Sequence, residues 1–224
     1  MEDDPQLNLK TLKEQVYDHL SRQLSRQELR PGDAINLDAV CQRLGVSKTP
    51  LRDALIVLET EGFVRFLPRR GVYVTALTLN DIRDTYQIIG ALEGSAVRAA
   101  RDRFRSADAA AMAGHNAGMQ AALDRDDFAG FYRLNLAFHD VYLDLAGNAP
   151  LSRIVHNLKK RLYDFPRREE LFKEWEYASV DEHRRIAELL AAGDFDGAAA
   201  YVRDVHWSFE VQERFIRIYY AGIE

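Results

Sequence analysis

Apolar residues recur every fourth position from Leu12 through Val16 and Leu20 to Leu24, which predicts an amphipathic helix of about four turns. Arg30-Pro31-Gly32-Asp33 reads as a turn, proline fixing one torsion and glycine permitting the next. Val40 and Leu44 belong to a short second helix that Gly45 stops. Ser47 is placed to cap a third helix whose first turn tolerates Pro50, and Leu51, Leu55 and Leu58 form its buried stripe up to Gly62. Phe63-Val64-Arg65-Phe66-Leu67 and Val72-Tyr73-Val74 are β-rich runs around a Pro68-Arg69-Arg70-Gly71 hairpin loop. From about Thr78 the periodicity is helical throughout, with helices expected at 79–104, 107–123, 127–146, 149–165, 179–192 and 195–220. Ser106 and Ser179 suit N-caps, Asp194 starts the last helix after Gly193, and Pro166 with Arg167 to Glu176 forms a charged connection. The pattern predicts a mainly α protein. Residues 1–76 form a winged helix-turn-helix of three helices plus a β-hairpin, and residues 77–224 an all-α bundle of six or seven helices.

Composition narrows the class without changing that picture. A 224-residue chain with 47% hydrophobic and 29% charged residues is ordinary globular material, long enough to fold without staples. The one cysteine, Cys41, excludes a disulfide framework and a cysteine-rich zinc finger, and reads as a buried small hydrophobe. No run is long and apolar enough for a membrane span, and Met1-Glu2-Asp3-Asp4 lacks the basic, then apolar, character of a secretory leader. A cytoplasmic protein with no membrane partner is expected. The net charge of −5 is uneven: residues 10–76 carry eleven Lys/Arg against eight Asp/Glu, and residues 77–224 nineteen against twenty-four. A mildly basic head on an acidic body can still meet DNA, because the local field decides.

The third helix carries the candidate DNA chemistry. Opposite its leucine stripe lie Lys48, Thr49 and Arg52, able to enter a major groove; Arg and Lys donate to guanine O6 and N7, and Thr meets phosphate or a thymine methyl. The helix start at Ser47 offers free amides to a phosphate, and Arg69, Arg70 and Gly71 at the hairpin tip suit a wing on the flanking backbone. Singly, each piece is also what a solvated surface gives; the order helix, helix, basic helix, basic-tipped hairpin points to DNA.

Six histidines occur, and three of them, His139, His183 and His206, sit on inward stripes of three different helices. Asn135 and His139 are four residues apart on one helix face, a spacing from which two side chains can ligate one ion. Imidazole suits zinc, nickel, manganese or iron. On spacing alone, separate core or surface histidines with satisfied hydrogen bonds are the favoured reading.

Residues 9–76 resemble the winged helix-turn-helix domain of the GntR family of bacterial transcription regulators, through Leu29-Arg30-Pro31-Gly32, Leu44-Gly45-Val46-Ser47-Lys48-Thr49-Pro50-Leu51-Arg52-Asp53-Ala54-Leu55, Leu58-Glu59-Thr60-Glu61-Gly62 and Pro68-Arg69-Arg70-Gly71. Lys48 stands where the family usually has Arg, and lacks the bidentate fork. Residues 79–220 resemble the helical effector domain of the fatty-acid-regulator-like (FCD) branch, through Leu92-Glu93-Gly94-Ser95-Ala96, Asn135-Leu136-Ala137-Phe138-His139, Ala146-Gly147-Asn148, Glu182-His183 and Gly193-Asp194 followed by His206.

The resemblance implies a homodimeric, metabolite-responsive regulator, of which repression is the commoner mode, bound to a double-stranded operator. It also implies a divalent cation (zinc, nickel or manganese) held by an Asp and three His beside a small organic acid. Carried over, the ligands are Asn135 in place of Asp, then His139, His183 and His206, so the site loses one negative charge. Ile89 replaces an Arg that lies near the effector in many members; Tyr86, Ile89, Tyr132 and Arg203 are the candidate effector-lining positions. Two alternatives remain at this point: a metal-free effector pocket on the same DNA-binding regulator, and a three-histidine metal-dependent enzyme. For the latter there is no HExxH, nucleophile elbow or glycine-rich phosphate loop.

Overall fold

The structure is a computed structural model, and it describes residues 10–26, 28–164 and 172–220. The chain divides into two compact units: one takes the residues up to Leu77 together with the stretch from Arg161 at the end of the 149–164 helix, the other Thr78–Lys160 with the described residues from Phe172 on.

In the first unit, α1 (Leu12–Ser25) starts at a reciprocal cap: the Thr11 side chain accepts from the Glu14 amide, and the Glu14 carboxylate accepts from the Thr11 amide. Val16, Leu20 and Leu24 are buried, but Leu12, expected to open that stripe, is 55% exposed, since it lies in the first turn beyond the reach of the core. Helix α2 (Leu37–Leu44) is capped by Asn36 and stopped by Gly45 in the left-handed region, φ 65°. Helix α3 (Lys48–Thr60) buries Leu51, Ala54, Leu55 and Leu58 against α1, α2 and the sheet. Cys41, expected to be buried, is half-buried. The hairpin is β2 (Val64–Leu67) with β3 (Gly71–Val74), and a short β1 (Ala34–Ile35) adds a third strand that the pattern did not show. Two residues are too few for an alternation to be seen; the pairing of Ile35 with Val72 creates the strand.

Among its described residues the second unit holds helices joined by short turns, with no strand. It comprises α4 (Leu79–Ala100), α5 (Ser106–Asp124), α6 (Phe128–Ala146), α7 (Ala149–Asp164), α8 (Lys173–Ala191), α9 (Phe195–Tyr201) and α10 (Phe209–Tyr219), with one π-helical turn at Val202–His206. Helix α5 packs against α6 and α8, while α4 packs against α6, α9 and the π turn. Helices α6 and α9 open on the same device. Asp127 accepts from the Gly130 amide and Asp194 from the Gly197 amide, each at 2.8 Å. A Cβ at Gly130 or Gly197 would stand 2.1 or 2.2 Å from the second oxygen of the capping carboxylate, so any larger residue there requires that carboxylate to turn.

Four expected boundaries are corrected. The cap position of α5 is Arg105, with Ser106 already helical. Helix α4 ends at Ala100 rather than 104. Ser179 is no cap: α8 begins at Lys173 and includes it, so the connection expected to reach Glu176 ends earlier, and its part from Pro166 to Leu171 lies outside the described residues. The single helix expected over 195–220 is broken, because the π turn ends at His206 and Ser208 caps a fresh helix by accepting from Val211.

Candidate functional site: a basic recognition face and a buried histidine cluster

Lys48, Thr49 and Arg52 are all exposed on the first two turns of α3, opposite its leucine stripe. Ser47 occupies the cap position with extended torsions, yet its side chain makes no cap bond. Lys48 pairs with Asp38 of α2 at 2.9 Å, and that hydrogen bond raises its pKa; both side chains are largely in solvent, so the pair is easily exchanged. Arg69, Arg70 and Gly71 are exposed at the hairpin tip. Arg69 holds φ 61°, a left-handed conformation a β-carbon disfavours, so the tip stores local strain while projecting its guanidinium. Arg65, exposed on β2 opposite Tyr73, is a further cation on this hairpin that the sequence reading did not single out.

In the second unit, His139 (α6), His183 (α8) and His206 (π turn) converge. One nitrogen from each lies within 4.8 Å of the others, and all three residues are buried. His139 Nε2 and His183 Nε2 are 3.1 Å apart, near the ~3.3 Å that two ~2.0 Å bonds at a tetrahedral angle impose. Two of the three other ring nitrogens are anchored by carboxylates: His139 Nδ1 meets Glu93 Oε2 at 2.9 Å and His206 Nδ1 meets Glu182 Oε2 at 2.7 Å, while His183 Nδ1 has no hydrogen-bond partner among the described residues. A carboxylate on Nδ1 fixes the tautomer that turns an Nε2 lone pair inward, as metal-binding imidazoles require. Asn135, one turn before His139, is 5% exposed, and its Oδ1 has no hydrogen-bond partner among the described residues. Burial lowers the pKa of His139 to about 3 against the pull of Glu93, and lowers His183 as well, so both rings are neutral ligands at neutral pH. Three imidazoles, two with carboxylate backing, and an orphaned carbonyl oxygen fit a divalent cation of the zinc, nickel or manganese class.

Behind His139 lies a fully buried polar knot that sequence reasoning missed. Glu93 Oε2 accepts from Tyr142 Oη at 2.6 Å and from Trp207 Nε1 at 2.8 Å, and Lys159 Nζ stands 2.6 Å from Oε1. Burial works to raise the Glu93 carboxyl, but His139 and Lys159 outweigh it and hold it well below the usual carboxylate range. A second chain of bonds backs His206: Gln212 donates to Glu182 Oε1 at 2.7 Å and Trp175 donates to Gln212 at 2.8 Å. A signal for the knot did exist. Glu93 follows Ile89 and Lys159 follows Val155 by one turn on buried stripes, so each charge falls where an apolar residue belongs.

The four candidate effector positions are scattered. Tyr86 and Ile89 are buried on α4, and Tyr86 meets the Trp207 ring edge-on at 5.2 Å. Tyr132 stacks on Phe128 at the α6 start. The Arg203 side chain is exposed and pairs with Asp204, while its backbone lies against Gly90.

Comparison with known proteins gives the same two parts. Residues 12–74 match the bacterial regulatory proteins of the gntR family, and residues 84–205 match the FCD domain. The chain is 32% identical over 180 residues to the Nta operon transcriptional regulator of Aminobacter aminovorans, covering 77% of this chain and 80% of that one. It is 26% identical over 157 residues to the HTH-type transcriptional repressor RspR of Escherichia coli K12, covering 70% and 69%. In fold it is similar to E. coli McbR/YncC, with 21% identity, 96% and 100% coverage and a TM-score of 0.68. A putative GntR regulator from Rhodococcus sp. RHA1 gives 19% identity, 93% and 98% coverage and a TM-score of 0.67. These relatives are transcription regulators, which removes the three-histidine enzyme as a reading. The chain belongs to the GntR family of bacterial regulatory proteins, with an FCD domain in its C-terminal part, and is a DNA-binding, metabolite-responsive transcription regulator rather than an enzyme.

Proposed function

We propose that residues 1–76 read an operator and residues 77–224 sense a small organic acid beside a bound divalent cation, the protein acting as a cytoplasmic homodimeric repressor. Two copies present Lys48, Thr49 and Arg52 to two half-sites, while Ser47 with the open amides of α3 and the Arg69, Arg70 and Gly71 tip meet phosphates. The exposure of Lys48 and Arg52 opposite a wholly apolar stripe supports this assignment. For a base contact removed by Arg52→Ala, operator binding weakens by ~1–3 kcal/mol in an anisotropy titration at fixed salt. Wild-type affinity in that variant overturns the recognition-helix assignment.

The observation that carries the sensing half is the buried histidine trio with carboxylates on two of its outer nitrogens. His139, His183 and His206, with the Asn135 carbonyl oxygen, hold the cation. When bound, the cation supplies a Lewis-acidic, positively charged centre for an anionic effector. With asparagine as the only oxygen donor, the site keeps more positive charge than one with aspartate, which favours a carboxylate ligand. Of the effector-lining candidates Tyr86, Ile89, Tyr132 and Arg203, Tyr86 reaches the cluster through Trp207, whose ring lies 5.9 Å from that of His139. The effector must bind one arrangement of the protein better than another for DNA affinity to change. Elemental analysis of protein purified without added metal tests the centre: about one equivalent in wild type and a loss in His139→Ala support it. Metal-free wild type whose melting point rises with an organic acid alone favours an effector pocket without metal.

A further inference from the structure

Glu176 is a carboxylate that no described residue satisfies. It lies on the inward stripe of α8, one turn before Val180 and two before His183, and is half-buried. It makes no hydrogen bond or ion pair among the described residues, and burial alone pushes its carboxyl up to about 8. Its oxygens are not among the polar atoms sealed from solvent, so a small solute can reach them. The helix start does not account for it, because Glu174 already places an acid there and pairs with Arg214 in solvent. The surroundings of Glu176 are aromatic. Burial raises the pKa of the Tyr86 hydroxyl, and Glu182, Glu176 and Tyr219 raise it further; the Tyr219 ring stands edge-on to Trp175 at 5.6 Å. A partly desolvated carboxylate among aromatic rings is stabilised by an incoming cation, through charge pairing and through the negative ring faces.

Two helices place their side chains in the same order. Along α8 come the acid Glu176, the apolar Val180 and then His183 of the cluster; along α4 come Tyr86, the apolar Ile89 and then Glu93, which holds His139. The outer members are seven residues apart on each helix. At ~1.5 Å of rise per residue, the two levels are ~10 Å apart. Subtracting a ~2 Å metal–oxygen bond and a ~2.8 Å charge-assisted hydrogen bond leaves ~5–6 Å between the ligand groups that meet them, about three or four methylenes. Ile89 and Val180, both fully buried, put apolar surface at the level between.

We propose that Glu176 is the ammonium site of the effector pocket, and that the effector is an ω-amino acid whose carboxylate meets the cation at His139, His183 and His206. This rests on the metal-and-acid reading given above and names the class of acid. The charges run in the required order: a cationic centre for the carboxylate, an apolar stretch for the methylenes, and a carboxylate among aromatic rings for the ammonium. A dicarboxylate of the same length would set a second negative charge against Glu176 and is rejected for that reason.

The test is isothermal titration calorimetry on the zinc-loaded full chain with a matched set of ligands: 4-aminobutanoate, 5-aminopentanoate, pentanoate and glutarate. At least one of the amino acids is expected to bind about ten-fold or more tightly than pentanoate, as a hydrogen bond between charged groups out of water implies, with glutarate weakest. Glu176→Gln, checked for fold by circular dichroism, is expected to remove the preference for the amine and leave pentanoate affinity unchanged. Glu176→Asp retracts the charge by one methylene and should shift the preference toward 5-aminopentanoate; it decides the matter if Glu176→Gln misfolds. Zinc-dependent binding of pentanoate as tight as that of the amino acids, or an amine preference that survives in Glu176→Gln, overturns the ammonium site and leaves the metal-and-acid reading intact. If none of the four binds, the ammonium site is overturned, and the metal centre stands or falls separately on the elemental analysis.

Discussion

Lys159→Met isolates the energetic cost of the buried knot. Lys159 is 1% exposed and Glu93 0%, and their charged atoms are 2.6 Å apart, so removing the ammonium strands a carboxylate that water cannot reach. Breaking a buried pair by deleting one partner costs ~3–5 kcal/mol. Glu93 keeps Tyr142, Trp207 and His139, which places the expected loss near ~3 kcal/mol, the lower end of that range. At ~2–4 °C per kcal/mol for a unit of this size, the melting point should fall by ~6–12 °C. Neutralising both ends, in Lys159→Met with Glu93→Gln, removes the stranded charge and keeps an acceptor for Tyr142 and Trp207. The double variant should therefore be more stable than the summed singles by at least ~1.5 kcal/mol. Trp175 and Trp207 are the chain's two tryptophans, both in the helical unit, so urea unfolding followed by tryptophan emission reports that unit alone. Measurements in chelator keep metal linkage out of the comparison. A Lys159→Met cost under ~1 kcal/mol, or strict additivity in the cycle, would refute the knot as a coupled charge network.

The same cluster sets an acid response. His139 titrates at about 3 when folded and 6.5 as a free imidazole, so between those values the unfolded chain takes the proton and stability falls as pH drops below 6.5, by at most ~1.4 kcal/mol per pH unit for that one group. Glu93 adds a loss at lower pH, its contribution being present above the ordinary carboxylate range and lost as pH falls through its depressed folded value; a series of urea midpoints that is flat from pH 7 to 4 contradicts the histidine contribution, and one that stays flat below pH 4 contradicts that of Glu93. At the wing, Arg69→Gly removes a left-handed arginine at φ 61°; stability of the first unit should hold or rise by up to ~1 kcal/mol, while operator affinity drops and its salt slope shrinks by about one. Unchanged affinity there means the tip does not touch DNA. Gly130→Ala puts a β-carbon 2.1 Å from the Asp127 carboxylate and should cost ~1 kcal/mol by opening the cap of α6, as Asp127→Ala does, with no further loss on combining them; additive losses in thermal melts would show that the two do not act through one cap.

Much of the architecture follows from local rules along the chain. The leucine stripe of α3 and the polar residues opposite it are fixed by helical periodicity, which forces Lys48 and Arg52 outward once Leu51 and Leu55 face in. The helix stop at Gly45 and the start at Asp194 are short-range chemistry involving only a few neighbouring residues. The same periodicity puts His139, His183 and His206 on inward faces, but a helix face says nothing about which point in space it meets.

Their convergence within 4.8 Å is a tertiary result. It depends on α6, α8 and the π turn packing together, and that turn broke a helix whose sequence reads as continuous. The pairing of Glu93 with Lys159, 66 positions apart, is decided in the same way. Each residue by itself looks like a charge misplaced on an apolar stripe; only packing α4 and α7 around His139, Tyr142 and Trp207 turns two costly burials into one satisfied network, because desolvation is a property of the assembled core.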